Sequence, residues 1–498
     1  MIGNGERTAV KPDTYPQLPV RRRLLLNRYF AIDGGHGAHL LAALAGSSPY
    51  IQAVASPRHA DILLIIAPVS RKLVPSIVEI AEALPQPAHV LLVEEQAGEL
   101  DPRAATDIAD LDELFPGARR MKASSGADIH DAMLDPAPWM ELTLTEAQVP
   151  DVETIQLPPK PEQEMATELV VLSLGPIQPF TAGPLRVLLI CDGEQVFATQ
   201  VESGYAHRGI AQAMLQAHWQ QALTLSRTLD PLAPLACQLA YVRVLEQLQG
   251  WQPSPATVSM REAALALERA RNYLWWVVRF MRLLSDAHFS DRSYQLANAY
   301  EVCLAQVWRQ RPRTWLLPQR QEHMRVDAAV VAKLHRLASD VEALCTSIER
   351  NRWLKLRTRG IGELAAADLR ERNVSGPVLL ASEHGVGDVQ DRVVTRLQQT
   401  ASDLHGAVAV LEQHPSVATH AAHWDIPVGE AHASVQGPRG CIGIHVKSDG
   451  GAKPGHVEWQ APSAALLPLL PELLAGQKLA DAEIILASLD LALAEVDG

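Results

Sequence analysis

Five cysteines, Cys191, Cys237, Cys303, Cys345 and Cys441, are the softest metal donors in the sequence. No two lie close enough to form a thiolate ligand motif, and their spacing defines no disulfide framework. An odd cysteine count without a signal peptide points to a reducing, cytoplasmic setting. Harder donors are also sparse. His36-x-x-His39 offers two imidazoles, with Glu95 as a third ligand of a zinc-type site; the alternative is an ordinary unliganded pair. His414, His420 and His423 gather around Pro415, and an exposed loop explains them equally well. The segment IDGGHGAH, residues 32–39, has the glycine content of a phosphate loop. It lacks the Lys and the Ser or Thr that would contact phosphate and magnesium. No nucleophile, histidine and acid share an informative spacing.

The elements that must position these groups fall into two parts. ADILLIIAPV, residues 60–69, and HVLLVEE, residues 89–95, are short continuous apolar runs of the kind buried on both faces of a parallel sheet. Between them RKLVPSIVEIAEAL has helical spacing, which makes a βαβ unit. Residues 26–135 are therefore expected to form an α/β domain with a flavodoxin-like parallel sheet. Residues 1–25 read as a polar, Pro-rich tail. Residues 136–168, with Pro136, Pro138, Pro150, Pro158, Pro159 and Pro161, read as a linker.

From residue 169 two strand-like runs, ELVVLSLG and LRVLLICDGEQVFATQVE, meet a turn at Asp192-Gly193. Residues 205–350 then turn helical. Long amphipathic patterns over residues 260–284, 326–351 and 388–414 predict a helix bundle, to whose core ANAYEVCLAQVW, residues 297–308, contributes. After Pro427 short strands return, followed by a helix. The second domain, 169–498, is thus expected to be α+β around a central bundle.

At 498 residues the chain can build more than one core, and its 47% hydrophobic and 20% charged residues are those of a globular protein. A net charge of -13 argues against nucleic-acid binding. The local basic run Arg21–Arg23 reads as a solvated turn, with contact to an acidic partner or lipid headgroup as the alternative. No apolar run approaches the roughly 20 residues that span a bilayer, so any membrane link would come through partners.

Seven segments in order carry a family resemblance: LGPIQPFTAGPLRVLLICDGE; Gly204–Ile210 (GYAHRGI); Glu349, Asn351, Arg352 and Trp353 with Arg357-Thr358-Arg359-Gly360; Gly437–Gly440 (GPRG); SDGG; APS; and the terminal SLDLALAEVDG. The region 169–498 resembles the large subunit of membrane-bound group 4 nickel–iron hydrogenases and the homologous quinone-pocket subunit of respiratory complex I. Ser56–Leu73, SPRHADILLIIAPVSRKL, resembles the small, cluster-bearing subunit of the same enzymes, so the chain looks like a fusion of the two.

The resemblance also locates what is missing. Small-subunit cluster ligands would fall at His36, His39, near Glu95 and near Gly126, and no cysteine precedes Cys191. A four-thiolate iron–sulfur cluster is therefore excluded there. Large-subunit nickel ligands would fall near Asp230 and Ala233 and at Ala492 and Glu495, again without sulfur. The quinone-binding His and Tyr of complex I correspond to Ala182 and Pro231, whose side chains donate no hydrogen bond. The loop that closes the pocket looks shortened around residues 375–390. What the resemblance leaves is a charged framework: Arg186, His207, Arg208, Arg357, Arg359, Arg439, Asp490 and Asp497. In the family such groups line the cavity and the route toward the membrane partner; here they either pin strands and helix ends or form a proton-responsive cavity in which His207 titrates. Arg359 and Arg439 would suit a small anion such as bicarbonate.

The expectation is a non-catalytic core subunit without cofactors, peripheral to the cytoplasmic side of the inner membrane. Its partners would be antiporter-like membrane subunits and other peripheral subunits, and it would couple or scaffold ion translocation. The alternative is an oxidoreductase subunit of NADH:quinone or hydrogenase type, taking electrons from a partner into an altered small-molecule cavity.

Overall fold

The computed structural model describes residues 27–35, 37–45, 51–95, 108–135, 139–140, 142, 169–178, 180–308, 322–323, 326–413, 416–417 and 424–498. The tail 1–25, His36 and His414, His420 and His423 lie outside them, as does the Glu95 side chain.

The apolar runs become strands of one parallel sheet: β1 (Asn27–Asp33), β2 (Ile51–Ala53), β3 (Ile62–Ala67), β4 (His89–Glu95) and β5 (Arg119–Ala123), in the order β2-β1-β3-β4-β5. Alternate residues serve opposite faces. Leu63, Ile65, Val90 and Leu92 pack into one core, Leu64, Ile66, Leu91 and Val93 into another. Helices α1 (Ala38–Leu44), α2 (Val74–Glu82), α3 (Leu111–Leu114) and α4 (Gly126–Leu134) supply the covers. A capping box starts α4: Ser125 and Asp128 satisfy each other's backbone N–H groups. This is the order of a flavodoxin-like sheet, the class of parallel sheet expected. Its switch point, between β1 and β3, is where such sheets form a crevice. The loop after β1 sits there, tied by Asp33 Oδ1, which accepts from the N–H groups of Gly35 (2.9 Å) and Gly37 (2.7 Å).

The described residues of the proline-rich segment pack on this sheet. The N–H of Leu142 donates to the carbonyl of Ala88 (2.8 Å), and the Arg119 guanidinium lies 5.0 Å from the Trp139 ring.

The second part opens with an antiparallel sheet of β6 (Val170–Leu174), β7 (Arg186–Asp192) and β8 (Gln195–Glu202). Helices α5 (Ile210–Gln216), α6 (Trp219–Ser226) and α7 (Pro234–Gln249) lead to the bundle of α8 (Pro255–Leu283), α9 (Ala287–Trp308), α10 (Ala328–Arg350), α11 (Arg352–Thr358), α12 (Ala366–Glu371), α13 (Pro377–His384) and α14 (Val389–Glu412). Helix α8 starts where Ser254 caps the N–H of Thr257 with Pro255 at the first position. It is buried on nearly every side because α7, α9 and α14 all pack on it. The residues expected to be a shortened loop include a helix, α13, set against α14.

Two-residue strands β9 (Glu322–His323) and β10 (Ser416–Val417) pair beside the bundle. A second antiparallel sheet, β11 (Gly429–Gln436), β12 (Cys441–Ser448) and β13 (His456–Gln460), precedes the C-terminal helices α15 (Pro462–Leu466), α16 (Leu470–Leu474), α17 (Leu479–Leu489) and α18 (Leu493–Asp497). One continuous core runs through this second part and takes in Ala42 of α1.

Where the two parts meet, backbone touches backbone. Gly35 and Gly183 have φ of +113° and +100°, and a Cβ on Gly183 would sit 2.9 Å from the Cα of Gly35. Glycine is required here for conformation and for approach.

Candidate functional site

Arg439 is the centre of the arrangement. The turn between β11 and β12 is closed by the Gly437 N–H to the Gly440 carbonyl (2.8 Å) and aims the side chain inward. Arg439 is 3% exposed and is surrounded by three buried carboxylates. Its Nη2 donates to Asp230, its Nε to Glu495 (3.3 Å), and its Nη1 lies 3.9 Å from Asp490. Each carboxylate comes from a separate segment. Asp230 precedes α7 and accepts from the Leu232 N–H (3.0 Å). Asp490 ends α17 in the left-handed region (φ +56°) and receives Arg279 at 3.2 Å. Glu495 lies in α18 and accepts from the Ser463 N–H (3.1 Å) and hydroxyl. Two guanidiniums thus face three carboxylates, with Ser463 helping to solvate the third. A planar, permanently charged fork suits this use.

Two more buried arginines fix the same region. Arg396 donates to the carbonyls of Ser488 (2.9 Å) and Leu489 (3.1 Å) at the end of α17 and lies 4.3 Å from the Trp276 ring. A cation at a helix C-terminus answers the helix dipole. Arg392 donates to Ser488 Oγ and to the carbonyls of Gly387 and Gly362. Burial pulls its guanidinium down to about 9.

Behind Asp230, Glu268 of α8 accepts from the N–H groups of Leu235 (2.7 Å) and Ala236 (2.9 Å) at the start of α7. One turn on, Asn272 donates to the Leu232 carbonyl (2.6 Å). Full burial pushes the Glu268 carboxyl up to about 7, against the opposing pull of those N–H groups.

The four positions where the resemblance puts nickel ligands converge on this network. Asp230, Ala233, Ala492 and Glu495 are all buried. Arg439 joins Asp230 to Glu495, and Ser463 Oγ joins Glu495 to the Ala492 N–H (3.1 Å). The residues at these four positions do not fit a nickel–iron centre: none of them is a cysteine, and a fixed cation stands between the two carboxylates. The first part offers no thiolate either, so its residues do not fit an iron–sulfur cluster. At the quinone positions Ala182 is 1% exposed and packs with Ala38 and Leu232 in an apolar cluster. Its backbone pairs with the chain after α17, through Ala182 N–H to Leu491 carbonyl (3.0 Å) and Leu493 N–H to Ala182 carbonyl (2.9 Å). Pro231, at the second of these positions, is half-buried.

The framework residues divide. Arg439 and Asp490 meet in the buried network. His207 and Asp497 meet at the domain boundary, where Asp497 accepts from the N–H groups of Gly204 (2.9 Å) and Ala206 (2.8 Å), and His207 Nδ1 lies 2.5 Å from the Asp497 carbonyl oxygen. Burial raises the Asp497 carboxyl. His207 itself is exposed, so it does not line a closed cavity. Arg208 is buried and donates to the Leu229 carbonyl (3.0 Å). Arg186 pairs with Glu202 (3.5 Å) beside Tyr205, where Lys72 of the first part also binds Glu202 (2.8 Å). Arg357 is half-buried and Arg359 exposed. Arg439, by contrast, is buried and its charge is met by carboxylates. Of the suggested metal ligands only His39 is described, buried in α1.

Sequence reasoning missed Asp230 and Glu495 as partners of Arg439, and Glu268 altogether. The available signal was an arginine in GPRG together with carboxylates at two of the positions where the resemblance puts metal ligands.

Residues 387–498 match the family of the respiratory-chain NADH dehydrogenase, 49 Kd subunit. Among curated relatives, a D-type subunit of the NADH-quinone oxidoreductase of Roseiflexus castenholzii is 28% identical, over 68% of this chain and 95% of that protein. The D-type subunit of the same enzyme in Desulforamulus reducens is also 28% identical, over 66% of this chain and 99% of its own length. A solved structure of the membrane-bound sulfane sulfur reductase, an archaeal respiratory membrane complex, contains a chain covered in full by 68% of this one, with a TM-score of 0.58 at 22% identity; that likeness concerns the fold. About two thirds of this chain is thus homologous to the D-type subunits of NADH-quinone oxidoreductase, and residues 387–498 carry the match to the 49 Kd family.

Proposed function

We propose that this protein is a core subunit of a complex I-like membrane complex that carries no redox cofactor and performs no electron transfer of its own. Residues 26–135 are the counterpart of the small subunit and residues 169–498 that of the large subunit, joined in one chain. The carrying observation is a buried salt network of Arg439 with Asp230, Asp490 and Glu495; two of its carboxylates, Asp230 and Glu495, fall where the resemblance would put thiolate ligands. The apolar closure at Ala38, Ala182 and Leu232 supports the same reading for quinone.

The protein sits on the cytoplasmic side of the inner membrane, held by antiporter-like membrane subunits and other peripheral subunits, and couples or scaffolds their ion movement. Among the described residues no helix is long and apolar enough to cross a membrane. Coupling requires a two-state element biased by charge. Glu268, with its carboxyl at about 7 and its grip on the start of α7 beside Asp230, supports a protonation-dependent element better than exposed His207 does. The test is purification of the native complex with identification of its components and assay of quinone and viologen reduction. The expected result is antiporter-like partners and no reduction attributable to this chain. Quinone reduction lost on mutating residues around Ala182 would establish the oxidoreductase reading in its place.

A further inference from the structure

The C-terminal sheet carries chemistry unrelated to the buried network. Strands β11, β12 and β13 turn Ala433, Val435, Ile442, Ile444, Val446 and Val457 toward the core. Period-two alternation therefore turns the intervening residues outward. In register, His432 faces His445, which faces Glu458; in the adjacent row Glu430 faces Lys447, which faces His456. His445 and His456 are diagonal neighbours, with ring centroids 5.7 Å apart at 63°. One donor atom from each of His445, His456 and Glu458 lies within 4.8 Å of the others.

We propose that His445, His456 and Glu458 form a binding site for a divalent transition metal, zinc by preference, on the outer face of this sheet. Two imidazoles and one carboxylate are a set that zinc accepts, with the fourth position open to water. Ligand atoms around a tetrahedral zinc stand about 3.3 Å apart at bond lengths of about 2.0–2.1 Å. His456 and Glu458 are exposed and His445 half-buried, so side-chain rotation closes the remaining gap without moving the strands. The other ionisable groups facing the site are His432, Glu430 and Lys447. Lys447 is held by Glu430 at 3.1 Å, which offsets its charge, and Glu430 Oε2 lies 3.8 Å from His445 Nε2. Strand-borne ligands keep the Cα positions fixed, which lowers the ordering cost of binding.

The experiment uses the full chain, freed of any affinity tag and stripped with chelator, titrated with zinc against a chromophoric competitor. One equivalent is expected, with the affinity reduced at least about tenfold in His445→Ala and again in His456→Ala, each checked for an unchanged melting curve. Cobalt titration of the unmutated chain provides a second readout, with visible absorption bands of a tetrahedral site expected. Absence of zinc binding, absence of cobalt bands, or binding indifferent to both histidine substitutions would overturn the proposal.

Discussion

Arg439, more than any other single residue, decides the character of this molecule. A guanidinium buried among three carboxylates is stable only as a set, because each charge has left water. Replacing it by Met should leave Asp230 and Glu495 without their cation and cost about 3–5 kcal/mol, readable by urea unfolding; a cost below about 1 kcal/mol would show that the carboxylates are held neutral. Glu268 makes a second expectation. Its carboxyl is raised to about 7 from an ordinary 4.5, so the folded state binds the proton more tightly than the unfolded chain. The resulting stability is complete below about pH 4.5 and is lost as pH rises toward about 7. The stability of the natural protein relative to Glu268→Gln should therefore decline over that interval, and a flat difference would remove Glu268 as the titrating group. These residues were only half legible. The sequence exposes Arg439 within GPRG and the missing sulfur at Glu495. It cannot reveal that Asp230, 209 positions from Arg439, closes the pair, because long-range partners are set by packing.

Elements were legible where periodicity was strong. The runs at 62–67 and 89–95 and the long patterns in α8, α10 and α14 became the expected strands and helices, since buried strands and amphipathic helices write their burial into spacing. Helix α13 was hidden because a short, uniformly half-apolar segment beginning after Gly376 has no clear period. The junction of the two parts was also hidden, since glycine signals tolerance without naming its neighbour. Gly183→Ala would place a methyl 2.9 Å from the Gly35 Cα at a φ of +100°. It should lower the melting temperature and increase protease access near residues 34–45, while Gly193→Ala, where the added Cβ meets nothing within 4 Å, should leave the junction closed. Equal protease sensitivity in the two variants would argue against a tight junction.

Across the full chain, the sequence similarity and the fold likeness each cover about two thirds of the length. Our proposal for the remainder is a fused small-subunit counterpart. Fold and function can part company: we propose that, on a scaffold similar to that of the D-type subunits, a salt network and an apolar cluster stand in place of the groups that would hold metal or quinone. Iron is common to both inorganic centres that the resemblance implies, so one quantity decides whether this chain can pass electrons. The full chain, purified without oxygen and treated with chelator, should hold no stoichiometric iron and give no cluster signal in electron paramagnetic resonance. Stoichiometric iron that survives the chelator would show that a redox centre is present after all.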